Sequence, residues 1–221
     1  MKQLKQILLK YRHAWLLSYI FLYLPWFAWL EKNVRSNYHV MHTALDDMIP
    51  FCEYFIVPYL LWFVYVAGTV LYFLFTSRED YYRTCIFLFS GMTISLIICT
   101  FFHNGTDLRP VIDPDKNVFS AITAALYRTD TSTNVFPSIH VFNSIAVHVS
   151  IRKSARLRRH TWVRLGSGLM MTAICLSTMF LKQHSVIDVA GAAVLSYIIY
   201  GFVYGYSWSA QDKKVSEKAL G

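Results

Sequence analysis

Two histidines, His140 and His184, each stand where a long apolar segment meets a polar loop. Around them run Pro137-Ser138-Ile139-His140 and Lys182-Gln183-His184-Ser185-Val186-Ile187-Asp188, with Arg109-Pro110 upstream. Asp188 follows His184 by four residues, a spacing that puts both side chains on one helical face and lets a carboxylate accept from one ring nitrogen. The other nitrogen is then available as a nucleophile. Pro137 suits the start of a helix, so Ser138 and the N–H groups beside it would turn a positive helix end toward an anion. His140, further into the same helix, is placed to protonate a departing oxygen. Arg109 and Lys182 are the cations to hold phosphoryl oxygens. These residue types point to phosphoryl transfer through a histidine nucleophile, with no metal and no cofactor required.

The elements that must position them are membrane spans. The 221 residues are 55% hydrophobic and 17% aromatic but only 15% charged, a balance shifted away from soluble proteins. Residues 14–30, 54–76, 84–102 and 165–181 contain no Asp, Glu, Lys or Arg. A helix of such length matches a hydrocarbon core of ~30 Å. Residues 135–151, with His140 and His148, and 185–207, with Asp188, are apolar otherwise and complete six spans. The fold class expected is all-α: a polytopic six-helix bundle forming a single domain over 1–221, without internal repeats.

Alternating the loops across the membrane puts fifteen of the 21 Lys and Arg residues on one side. That side, which includes both termini, is the cytoplasmic one. The net charge of +8 therefore reflects orientation and anionic headgroups, and a nucleic-acid partner is not expected. Cys52, Cys85, Cys99 and Cys175 lack metal-ligand or paired spacing and read as small buried residues. His148, on the cytoplasmic half of its span, reads as a satisfied interior group. Trp26, Trp29, Trp62 and Trp208 lie near span ends as interfacial anchors. Glu31-Lys32-Asn33 follows the first span, which has no small-residue cleavage site and reads as a retained anchor.

The polar clusters of chemical interest, 103–110, 137–140 and 182–188, all fall on the outer face. Loop 103–136 is the longest, rich in turn formers and charge, and loops of this length tend to carry function. In the first outer loop, 31–53, Met41, Leu45, Met48 and Ile49 near Asp46 and Asp47 fit either a short interfacial helix ended by Pro50 or a covered loop.

Arg109-Pro110, then Pro137-Ser138-Ile139-His140, then Ser177 with His184 and Asp188 resemble the three-part signature of the type 2 phosphatidic acid phosphatase superfamily, which also contains vanadium haloperoxidases. The likeness covers roughly residues 54 to 207. It implies that His184 is the nucleophile, Asp188 its orienter and His140 the general acid, with Arg109 and Ser138 binding phosphate. Three positions depart from the pattern: Phe102 stands for a Lys, Ile139 for a Gly and Thr178 for an Arg. Lys182 is the candidate substitute, although four residues along a helix it points ~40° away from Thr178. His103 or Arg128 is left to supply the rest. Asp47-Met48-Ile49-Pro50-Phe51 with Pro58-Tyr59 also resembles bacterial relatives of inositol phosphorylceramide synthase.

The expectation is an integral membrane lipid phosphatase. It would hydrolyse a lipid phosphate or pyrophosphate, of the phosphatidic acid or polyprenyl pyrophosphate type, at the outer leaflet through a phosphohistidine. One alternative is a lipid phosphotransferase of the inositol phosphorylceramide synthase type. Another is an inactive bundle serving as a lipid- or partner-binding subunit. The expected location is a plasma membrane, a bacterial cytoplasmic one in the first instance, with a membrane lipid as partner and self-association left open.

Overall fold

A computed structural model describes residues 6, 9–34 and 36–205. Trp208 and the basic residues Lys2, Lys5, Arg35, Lys213, Lys214 and Lys218 lie outside the described residues, as does the end of the last expected span. The chain is built of helices: α1 (Ile20–Asn33, preceded by a 3-10 stretch Arg12–Tyr19), α2 (Ala44–Met48), α3 (Ile56–Thr76), α4 (Arg78–Phe101), α5 (Val118–Thr129), α6 (Ile139–Lys153), α7 (Thr161–Phe180) and α8 (Val186–Tyr200). Two short strands, β1 (His39–Val40) and β2 (Asn104–Gly105), pair in parallel and join loop 31–53 to loop 103–136.

Five segments are long and apolar enough to cross a membrane: Arg12–Asn33, Glu53–Thr76, Arg78–Phe101, Thr161–Phe180 and Val186–Gly205. They identify a multi-pass membrane protein. Large apolar side chains cover the outside of the bundle, Phe21 at 81% exposure and Tyr197 at 79% among them, as lipid-facing surfaces require. The segment expected as a further span, 135–151, is different in kind. Its helix, α6, has 15 residues, or ~22 Å at the α-helical rise, and it packs against α3, α4, α7 and α8. Its polar residues, Asn143, Ser144 and Ser150, are buried against protein.

Local chemistry sets the helix ends. Ser77 ends α3 in an extended conformation and also caps α4, its hydroxyl accepting from the Asp80 N–H at 3.2 Å. Pro58 falls in the first turn of α3, where a missing N–H costs nothing. Between apolar helices in lipid, close packing replaces the hydrophobic effect as the source of association. Gly91 of α4 provides it: a Cβ there would lie 2.0 Å from the ring of Phe142 on α6. Gly191 of α8 does the same for Phe136, a Cβ meeting that ring at 2.4 Å. This contact seats the segment leading into Ser138 and His140.

Helix α1 leans on α4 through the stacked Tyr19 and Phe89 rings, 4.3 Å apart, and through Trp26, whose indole donates to Thr100 Oγ1 at 3.0 Å. Cys85 and Cys99 are buried, Cys52 and Cys175 half-buried, and all four are free thiols. His148 bonds Ser167 Oγ at 3.0 Å.

Candidate active site

His140 and His184 come together at the end of the bundle that carries loops 31–53 and 103–136. Their ring centroids are 5.9 Å apart, with the planes inclined by 58°. His140, in the first turn of α6, is flanked by Tyr59 and Trp62 of α3, each with its ring centroid 4.5 Å away. This aromatic seat fixes the imidazole without occupying its nitrogens. Trp62, read from sequence as an interfacial anchor, thus belongs to the site.

His184 precedes α8, and its relation to Asp188 is not that of two residues along one helical face. Ser185 caps α8, and Asp188 closes the reciprocal capping box by accepting from the Ser185 N–H at 2.9 Å. The same carboxylate oxygen, Oδ2, lies 3.3 Å from His184 Nδ1. One carboxylate therefore both ends the loop and orients the imidazole, leaving Nε2 for the cavity. Asp188 is fully buried and its other oxygen has no hydrogen-bond partner among the described residues.

The turn before His184 is equally determined. Lys182 adopts a left-handed φ of 53°, and the N–H groups of Gln183 and His184 both donate to the Thr178 carbonyl, at 2.9 and 3.1 Å. This backbone reversal sends the Lys182 ammonium away from the histidines, to the Asp46 carbonyl at 2.6 Å. Asp46, in α2, then accepts from Ser185 Oγ at 2.6 Å and from the Val186 N–H at 2.8 Å. Of the two alternatives for loop 31–53, a short helix or a covered loop, the structure has a short helix. Its buried carboxylate braces the start of α8, a role with no signature in the sequence.

Arg109 is near the site but not in its wall. Its guanidinium donates to the carbonyls of Asp130 and Thr131, both at 2.7 Å, and to Gln183 Oε1 at 2.5 Å, and it lies over the Tyr127 ring. Gln183 is 2% exposed and its amide nitrogen has no partner among the described residues. Arginine only donates, so the amide oxygen must face it and the NH2 is left as an unused donor. Ser138 is fully buried: its hydroxyl caps α6 by accepting from the Val141 N–H at 3.4 Å, and its own N–H donates to the Asp188 carbonyl at 3.2 Å.

A cavity of about 380 Å³ opens beside the two histidines. Tyr23, Leu24 and Phe27 of α1 face Trp62 and Phe63 of α3 across it. Leu24 and Phe63 are also 52% and 57% exposed, so the cavity reaches the lipid-facing side between α1 and α3. The polar end holds His140, His184, Gln183, Glu31 and Asp130. No Lys or Arg lines it among the described residues. His103 and Arg128 are exposed elsewhere, Phe102 packs against His39, and Thr178 is buried with its hydroxyl on the Cys175 carbonyl. Burial raises the Asp130 carboxyl above its ordinary value, against the pull of Arg109. Glu31 accepts from the Thr131 hydroxyl at 2.5 Å and from Asn134 Nδ2 at 2.8 Å, tying α1 to the loop before α6.

Among the described residues no group of three or more His, Cys, Asp or Glu is arranged to hold a metal ion. Compared with protein-family models, curated proteins and solved structures, the chain has no match.

Proposed function

We propose that the chain is an integral membrane phosphatase that hydrolyses a lipid phosphate or pyrophosphate through a phosphohistidine. The observation that carries this reading is the convergence of the two imidazoles on one cavity, one oriented by Asp188 and the other seated on aromatic rings. Each ring nitrogen reaches ~3 Å to a reacting atom, so a single phosphoryl group lies within range of both. His184 Nε2 forms the bond to phosphorus as the bond from phosphorus to the lipid oxygen breaks, and His140 gives that oxygen its proton. Water then attacks the phosphohistidine, returns a proton to His140 and releases phosphate. The resemblance to the type 2 phosphatidic acid phosphatase superfamily supports the same roles.

In this reading α6 joins the five apolar helices as a sixth crossing, shielded from lipid by its neighbours. Both termini lie on the basic, cytoplasmic side, and the cavity faces outward from a plasma membrane. The lack of a Lys or Arg in the cavity wall favours a second reading, transfer to an alcohol acceptor, because a free phosphate dianion is weakly held there.

The test is turnover of the purified protein in liposomes against a panel of lipid phosphates, with acid-stable and acid-labile phosphoenzyme separated after rapid quench. Wild-type protein should release phosphate and accumulate acid-labile label, and His184→Ala should do neither. Wild-type rates in His184→Ala would overturn the proposal. Product formation only with an added alcohol would replace hydrolysis by transfer.

A further inference from the structure

A phosphatase pocket ordinarily surrounds its dianion with cations. This one is walled by the opposite charge. Glu31 and Asp130 line the cavity, while the guanidinium of Arg109 is turned to backbone carbonyls and Gln183. Arg109 approaches the Asp130 carboxylate only to 3.9 Å, a loose pair that leaves much of the negative charge unmatched. The Glu31 carboxylate is held in place by Thr131 and Asn134, neutral donors that fix its position without cancelling its charge.

Two further observations define what fits such a wall. Aromatic side chains, Tyr23, Phe27, Tyr59 and Trp62, form much of the remaining lining. Carboxylates combined with aromatic faces are the surroundings that recognise alkylammonium groups. At the histidine end, Gln183 presents a buried NH2 with no partner, a neutral donor suited to a phosphoryl oxygen of low charge. Leaving a buried donor unmatched is costly, which marks it as waiting for an acceptor.

Resting on the phosphoryl-transfer reading but extending it from lipid phosphates to diesters, we propose that the preferred substrate is a zwitterionic phosphodiester lipid: its phosphate sits between His140, His184 and the Gln183 amide, and its ammonium headgroup lies against Asp130, Glu31 and the aromatic wall. The diester phosphate carries one negative charge and the ammonium one positive charge, so the bound headgroup adds no net charge to an acidic cavity. The P–O bond that breaks is the one to the hydrophobic alcohol. That alcohol leaves with a proton from His140, and the phospho-headgroup stays on His184 until water or an acceptor alcohol takes it.

The test compares binding of hexadecylphosphocholine and hexadecyl phosphate to the full-length protein in maltoside micelles, read by tryptophan fluorescence and by thermal shift. It uses wild type, Asp130→Asn and the non-nucleophilic His184→Ala. The phosphocholine amphiphile should bind wild type and His184→Ala at least ~10-fold more tightly than the monophosphate, ~1.4 kcal/mol. Asp130→Asn should erase most of that ratio. Equal or tighter binding of the monophosphate by wild type, or a ratio unmoved in Asp130→Asn, would overturn the headgroup assignment. Turnover retained in His184→Ala would instead remove the histidine mechanism while leaving the charge preference intact. The two failures are therefore separable.

Discussion

The guanidinium of Arg109 donates to the side-chain oxygen of Gln183, so the amide nitrogen beside His184 is the end left to meet a ligand. In the proposed reaction Arg109 thereby acts on the cavity through a neighbour, as a positioning residue, with Gln183 as the contact. Gln183→Glu keeps the shape and the Arg109 partner but replaces the donor by an oxygen. It should lower kcat/KM by ~10- to 100-fold, the cost of one donor to a charged acceptor, mainly through KM. Arg109→Lys loses the planar fork that reaches four acceptors, the carbonyls of Tyr127, Asp130 and Thr131 and the Gln183 amide oxygen, and should lower kcat/KM by a similar factor. Steady-state kinetics on the two variants checks both, and the Gln183→Glu variant should retain wild-type thermal stability.

Asp188 has two tasks, and its variants separate them. Asp188→Asn keeps a side-chain oxygen able to accept from the Ser185 N–H but removes the charge that holds the His184 ring in the required tautomer. A loss of ~10²-fold or more in kcat is expected, less than in His184→Ala, because orientation supplies only part of the rate. Asp188→Ala removes the cap as well and should also lower the melting temperature, by the ~1 kcal/mol that caps usually contribute.

The acid limb of stability should carry the mark of Asp46. Burial disfavours its ionised form, but the Ser185 hydroxyl, the Val186 and Thr43 N–H groups and the Thr43 hydroxyl together hold the carboxyl below its ordinary value. A depressed carboxyl stabilises the fold above its unfolded pKa, ~3.9. That contribution fades as pH falls from there through the lower folded value. Asp46→Ala should flatten the corresponding slope of melting temperature against pH. It should also cost activity at neutral pH by ~10-fold or more, since Ser185 and Val186 lose their acceptor at ~1–3 kcal/mol each.

Orthovanadate mimics the pentacoordinate transition state, and a competent cavity should be stabilised by it. The wall charge predicts an inverse order of strength. Wild type should shift modestly in melting temperature at millimolar vanadate, and Asp130→Asn should shift further. The Asp130 carboxyl titrates above its usual range because burial disfavours its charge, so it subtracts stability at neutral pH and the subtraction disappears on acidification. Asp130→Asn without ligand should accordingly melt no lower than wild type. Indifference of both proteins to vanadate would favour an inactive lipid- or partner-binding bundle.

Apolar runs free of charge located four of the spanning helices in the sequence, because lipid imposes length and composition together. The helix Ile139–Lys153 was harder to define: protein surrounds it, so it is shorter and tolerates Asn143 and Ser150. His140, His184 and Asp188 were legible from type and spacing, although a capping box and not helical periodicity brings the last two together. Ser138 reads as an anion-facing helix start and Lys182 as a phosphate-binding cation, yet an N-cap engages the first and a left-handed φ turns the second away. Asp46, Asp130, Gln183 and Trp62 had no local signal beyond the nearness of Gln183 to His184, because each is brought in by a contact between distant parts of the chain.

Pro25 sits in α1 between Leu24 and Phe27, two of the side chains that face the cavity. It offers no N–H to the carbonyl of Phe21, and a helix bends where such a rung is missing. The same helix is the least covered of the five apolar segments. One side of the cavity is therefore a pliable plank with protein behind it in places and hydrocarbon elsewhere, which makes bilayer thickness and lateral pressure part of the cavity's dimensions. Rates measured in thin and in thick vesicles should differ for that reason alone, before any change of headgroup.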